Sequence, residues 1–122
     1  MKHLVQFSTA HVDVETGAPD PSRLIKGAPK FETRNVYTDP TGQFFSGVWS
    51  GGVGAWHVVY ATHEEEFCRL LEGHVLLTDA QGVQSHLQAG DAFVVPGGFT
   101  GTWENLTPVT KRYAIMLLKE TP

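Results

Sequence analysis

Glu66 is the residue whose chemistry stands out first. It closes the run Glu64, Glu65, Glu66 and lies seven residues before Gly73, in the stretch GAWHVVYATHEEEFCRLLEG. A carboxylate in such a setting can bind a cation or trade a proton with a small substrate. His57 and His63 are nearby, but their spacing gives neither the i, i+4 pair of a helical zinc site nor a Cys-His cluster. The other histidines, His3, His11, His74 and His86, are scattered. Cys68 is the one cysteine, in an apolar stretch with no neighbouring histidine, and reads as a small core residue rather than a nucleophile.

The elements that must position Glu66 are short strands. From Asn35 on, runs rich in Val, Phe, Tyr and Thr alternate with turns of Gly, Pro, Asp and Asn: NVYTD, QFFSGVWS, AWHVVY, EFCRLLEGHVLLTD, VQSHLQ, AFVV, FTGTWEN and VTKRYAIMLLK. No segment of helix length keeps an apolar period of 3.6. A chain of 122 residues with this many strands must curl one sheet or pack two face to face. Residues 1–30 are expected to be an irregular segment with a short helical turn at Ser22–Ile25, either part of the same domain or a dimer contact. Residues 31–122 are expected to form the β domain.

Hydrophobic residues make up 41% of the chain and charged residues 18%, a globular composition. The net charge of −4 and the absence of a basic run argue against nucleic acid or an anionic membrane surface as partner. MKHLVQFSTAHVDVETG lacks the apolar core of a secretory leader, and no apolar run has the length of a membrane span. With a single cysteine, a cytoplasmic protein is the expectation.

Two glycine-punctuated patterns carry a resemblance. The first runs Gly54, five residues, Tyr60, one residue, Thr62, three residues, Glu66, six residues, Gly73. The second runs Gly90, five residues, Pro96, one residue, Gly98, two residues, Gly101, three residues, Asn105. In order and spacing they resemble the two signature motifs of the cupin superfamily. The phrases EEEFCRLLEGHVLLTD, GDAFVVPGGFTGTWE and VTKRYAI resemble the cupins related to ureidoglycine aminohydrolase (the DUF861 group), which also includes ethanolamine-utilisation cupins. The resemblance implies an all-β, antiparallel jelly-roll barrel and a homodimer. In the superfamily the motifs supply His-x-His, Glu and a further His to a divalent metal. Here those positions hold Tyr60, Thr62, Glu66 and Gly101, so only the carboxylate is kept. No metal and no other cofactor is therefore expected; a rearranged site using His63 with Glu64 or Glu66 is the alternative.

Strand parity then gives an interior list, since residues two apart share a face. Trp56, Val58, Tyr60 and Thr62 point inward, and His57 and Val59 outward. Glu66 carries Cys68 and Leu70 with it. Gly101 carries Phe99 and Trp103, and its missing side chain leaves room beside Trp103. In the last strand Lys111, Tyr113, Ile115 and Leu117 face in, because the other register buries Arg112 among Ala114, Met116 and Leu118. A buried carboxylate must find a cation or take up a proton. Lys111 either supplies that cation or faces water.

The resulting functional expectation is a small polar metabolite bound inside the barrel. Glu66 would act as acid or base, with Tyr60 and Lys111 as polarising donors. Thr62, Phe99, Trp103 and Tyr113 would contact the ligand. A non-catalytic binding or sensing module and a metal-dependent aminohydrolase-like enzyme are the alternatives.

Overall fold

The computed structural model describes residues 2–119. Every regular element in that span is a β-strand. In chain order they are β1 (Glu15–Gly17), β2 (Leu24–Gly27), β3 (Phe31–Thr38), β4 (Phe44–Gly51), β5 (Gly54–Val59), β6 (Glu64–Glu72), β7 (His74–Asp79), β8 (Gln84–Gln88), β9 (Ala92–Val95), β10 (Thr100–Asn105) and β11 (Val109–Leu117). One sheet runs β1-β3-β4-β11-β6-β9 and the other β2-β5-β10-β7-β8, with antiparallel pairing throughout. Apart from the β3–β4 and β7–β8 hairpins, successive strands pass from one sheet to the other, and the apolar faces of the two sheets enclose one core, which makes the fold a jelly roll.

The sheet change is clearest at Gly73. The stretch that reads as one long strand in sequence breaks there, with β6 in the six-stranded sheet and β7 in the five-stranded one. Gly73 takes φ of 97°, a conformation that side-chain-bearing residues rarely adopt, and a Cβ there would collide with the Pro108 carbonyl. The β3–β4 turn is built on Asp39, whose carboxylate accepts hydrogen bonds from the Thr41 hydroxyl and from the amides of Gln43 and Phe44. The Thr41 hydroxyl bond, working with the amides against the opposing effect of desolvation, holds its carboxyl down at about 2.

Two corrections concern the segment before residue 31. The helical turn expected at Ser22–Ile25 is present only in its first half, where the amides of Arg23 and Leu24 donate to the Asp20 carbonyl; Leu24–Gly27 is a strand paired with β5, and Glu15–Gly17 is a strand paired with β3. The Asp20 carboxylate accepts from the amide and hydroxyl of Ser22, forming a turn that delivers Leu24 to the sheet edge. Edge pairing supplied by a distant strand, not local propensity, decides this segment.

The core is aromatic at one end. Phe31 packs against Trp49 and Trp56, and Trp56 stacks on Trp103 with ring centroids 6.4 Å apart and planes at 19°. Cys68, Leu70, Val75 and Val109 fill the space beneath them.

Candidate functional site

Strict alternation along β6 sends Glu66, Cys68 and Leu70 inward and Glu65, Phe67 and Arg69 outward. On the neighbouring β11 the inward set is Val109, Lys111 and Tyr113, while Arg112 and Met116 are exposed. The chosen register of the last strand is the observed one.

The consequence is an ion pair in the interior. Lys111 Nζ donates to Glu66 Oε2 at 3.0 Å, and the two residues are 7% and 4% exposed. The other carboxylate oxygen, Oε1, accepts from the Tyr60 hydroxyl at 2.6 Å. The ammonium also lies over two indole faces, 4.3 Å from the Trp103 ring centroid and 4.8 Å from that of Trp49. Trp103 is fixed in turn: its indole N–H donates to Asn105, whose amide donates to the Gly52 carbonyl.

These contacts set the charges. Burial, the largest single influence, would lower the Lys111 pKa, but the adjacent Glu66 carboxylate and, after it, Cys68 together outweigh it and raise the value above that of an ordinary lysine. The ammonium is therefore charged at any physiological pH. Burial, and then the same carboxylate, push the Tyr60 phenol up, so it stays a hydrogen-bond donor. Burial raises the Cys68 thiol to about 12, outweighing the opposing pull of the Lys111 ammonium, while the Glu66 carboxylate adds a smaller upward push. Burial, followed by Glu66 and Glu15, raises Tyr113 to about 12.

Lys111, Glu66 and Tyr113 line a cavity of about 410 Å³ against the six-stranded sheet. Its remaining polar wall comes from Glu15, Thr33, Asn35 and Thr38, and its apolar wall from Phe45, Trp49 and Ile115. The Tyr113 hydroxyl donates to Asn35 Oδ1 at 2.8 Å, and the Asn35 amide donates to Thr38 Oγ1 at 2.8 Å.

Several expected site residues are placed elsewhere. Thr62 is exposed in the β5–β6 corner, because β5 ends at Val59 and strand parity does not continue through the turn. Trp103 is fully in the core beneath Lys111, and Trp49 is the indole that faces the cavity. Phe99 packs on the core edge-on to Tyr60 and lines a smaller cleft toward β8. Gly101 leaves no room beside Trp103: a Cβ there would strike the Thr78 carbonyl, so it marks close strand approach. Tyr60 joins the site through its hydroxyl, while its ring borders a separate outer groove with Arg23 and His57.

The strand β3 contribution was missed altogether. Its register against β4 shifts between Asn35 and Tyr37, so a bulge at Val36 brings both Asn35 and the exposed Thr38 to the cavity wall, which strict alternation forbids. Trp49 and Phe45, by contrast, were within reach of the same parity argument applied to QFFSGVWS.

The donor set does not fit the divalent metal that cupin motifs imply. A first-row ion wants imidazole nitrogens and carboxylates. Around Glu66 stand a phenol, an ammonium and two indoles, and among the described residues no group of three or more His, Cys, Asp or Glu converges on a point.

Residues 38–113 match the EutQ-like cupin domain family. Among solved structures, a DUF861-family protein of unknown function from Pseudomonas syringae pv. tomato is 27% identical with a TM-score of 0.73. The match covers 88% of this chain and 45% of that one, so the chain spans about half of that relative's length. A putative ethanolamine utilization protein Q from Salmonella typhimurium is 14% identical, with 90% and 100% of the two chains covered and a TM-score of 0.64. A predicted oxalate decarboxylase from Thermotoga maritima is 16% identical, with 95% and 100% covered and a TM-score of 0.66. The last two likenesses show the fold alone. No curated protein matches the chain.

Proposed function

The chain belongs to the EutQ-like cupin domain family, and from that premise we propose that it binds a small polar metabolite in the cavity against its six-stranded sheet, held by the Lys111 ammonium. The observation that carries this reading is the Tyr60–Glu66–Lys111 chain at the cavity floor. Both Glu66 oxygens are engaged by donors, so the carboxylate acts first as a fixed counter-charge. Lys111 has three N–H bonds and gives one to Glu66. A ligand carbonyl or carboxylate oxygen reaching the cavity floor would find a permanently charged donor already oriented, with little ordering cost left on binding. Tyr113 and Asn35 supply a second polar contact, and Trp49 a flat apolar wall.

A catalytic reading rests on the same chain. Glu66 becomes an acid or base only if a bound substrate displaces one of its two donors, Tyr60 or Lys111. No step of either reading runs through a metal.

The test is a calorimetric and thermal-shift screen of small carboxylates, amides and carbonyl compounds on the wild type and on Tyr113→Phe. Saturable stabilisation that weakens in Tyr113→Phe supports binding in this cavity. A panel without a single stabilising compound overturns it. Turnover of any stabilising compound that disappears in Glu66→Gln assigns the catalytic role; binding without turnover assigns the sensing or carrier role.

A further inference from the structure

His74 and His86 look scattered along the sequence, but the β7–β8 pairing brings them together. His74 is paired with Gln88 and His86 with Leu76, so the two imidazoles lie diagonally across neighbouring strands. Val75, Leu77 and Leu87, which alternate with them, pack into the core, and both rings therefore lie on the outer face of the five-stranded sheet. The cavity lined by Lys111 and Glu66 is against the other sheet, across the core. His74 Nε2 stands 2.8 Å from His86 Nδ1, with ring centroids 5.0 Å apart and planes at 71°. The backbone of His74 is pinned on the β10 side. Its amide donates to Thr107 Oγ1 at 3.0 Å, and its carbonyl accepts from the Leu106 amide at 3.0 Å.

We propose that His74 and His86 chelate one divalent transition-metal ion, with copper(II) the best fit. Two neutral imidazoles place a single hydrogen between their facing nitrogens, and an exposed bond of that kind gains little over bonds to water. With each ring's hydrogen on its other nitrogen, His74 Nε2 and His86 Nδ1 present two lone pairs to one ion, and no net proton leaves the pair. The separation selects the coordination geometry. Two nitrogens bound at about 2.0–2.1 Å stand about 2.9 Å apart at a right angle and about 3.3 Å apart in a tetrahedron. The observed 2.8 Å is close to the right-angle value. That is the cis arrangement of tetragonal copper(II) and nickel(II), not of tetrahedral zinc. Copper(II) also stands highest in the affinity order for nitrogen ligands. His86 is exposed and His74 half-buried, so the rings have room to tilt until both lone pairs meet on the ion. The remaining coordination positions face solvent and are left to water or to the oxygen atoms of a small molecule, which makes this a site for an exchangeable ion.

Calorimetric titration of copper(II) chloride into the full chain at neutral pH tests the proposal, read together with the nitrogen hyperfine pattern of the copper EPR spectrum. His3, exposed in the leading segment, is replaced by alanine in every sample so that this separate imidazole does not compete. One ion per chain is expected, bound through two imidazole nitrogens. His74→Ala and His86→Ala should each weaken binding about tenfold or more, because a chelate becomes a single ligand. His57→Ala, on the same face of the same sheet, should leave it unchanged. Circular dichroism checks that each variant is folded. Nickel(II) should occupy the same two nitrogens more weakly. The absence of saturable binding would overturn the proposal. So would binding that survives the loss of either histidine, a spectrum with one nitrogen ligand, or zinc(II) held more tightly than copper(II).

Discussion

Gly47 stands opposite Tyr113 in the β4–β11 pair, and its missing side chain is what lets the tyrosine reach Asn35. A Cβ on Gly47 would lie 2.6 Å from the Tyr113 hydroxyl and collide with the Arg34 carbonyl. The cavity's polar wall therefore depends on a glycine that belongs to neither cupin-like motif.

Gly47→Ala should consequently displace the Tyr113 ring and break its bond to Asn35. The expected result is a fall in stability of about 1–3 kcal/mol and weaker binding of any cavity ligand. Urea denaturation and calorimetry read the two effects. Tyr113→Phe, which removes only the hydroxyl, should lose about 1 kcal/mol. A larger loss than in Gly47→Ala would contradict the steric account.

The Glu66–Lys111 pair gives a sharper prediction. Removing one partner leaves a buried, uncompensated charge, so Lys111→Met or Glu66→Gln alone should cost about 3–5 kcal/mol. The double variant should recover much of that, because both desolvation penalties disappear together. A chemical denaturation cycle measures the coupling. Simple additivity would mean that the pair is solvated in solution.

Alkaline stability follows from the direction of the shifts. The folded pKa of Lys111 is raised, as are those of Tyr60 and Tyr113, the last to about 12. A folded pKa above the unfolded value means that the folded state holds its protons longer. The stability these groups supply is thus complete below their unfolded values near ~10 and is lost as pH rises through the folded values. Unfolding midpoints should be flat with respect to these three groups from neutral pH to about 10 and fall steeply above it. Phenolate absorbance from Tyr60 and Tyr113 should appear together with unfolding, and Tyr60→Phe should flatten the fall.

Cys68 should be inert while the protein is folded. Its side chain is fully buried and its thiol is held at about 12, so almost no thiolate exists at neutral pH. A disulfide reagent at pH 8 should label it only at the rate of unfolding. Rapid labelling of native protein would show that the space beneath the ion pair opens to solvent.

Sequence alone determined a good deal here, for a local reason. Strand parity is a two-residue rule, and inside a single unbroken strand nothing interrupts it. β6 as far as Leu70 and β11 from Lys111 onward are such stretches, the register shift between the two strands falling just outside them at Thr110/Lys111, so the inward positions of Glu66, Cys68, Lys111 and Tyr113 were legible. Turn spacing made a curled or doubled sheet legible, and the cupin-like motifs implied the jelly roll. The rule fails wherever the backbone departs from regular extension. Thr62 left the face when β5 ended, Asn35 and Thr38 joined it through a bulge, and β2 became a strand only because the edge of β5 was there to pair with. Two facts were never local. One is that Lys111 Nζ and Glu66 Oε2 meet at 3.0 Å across 45 residues of chain, which needs the β6–β11 register. The other is that Trp49, and not Trp103, faces the cavity. Trp103 lies on the sheet across the core, and the ammonium packed over its ring stands between it and the open space.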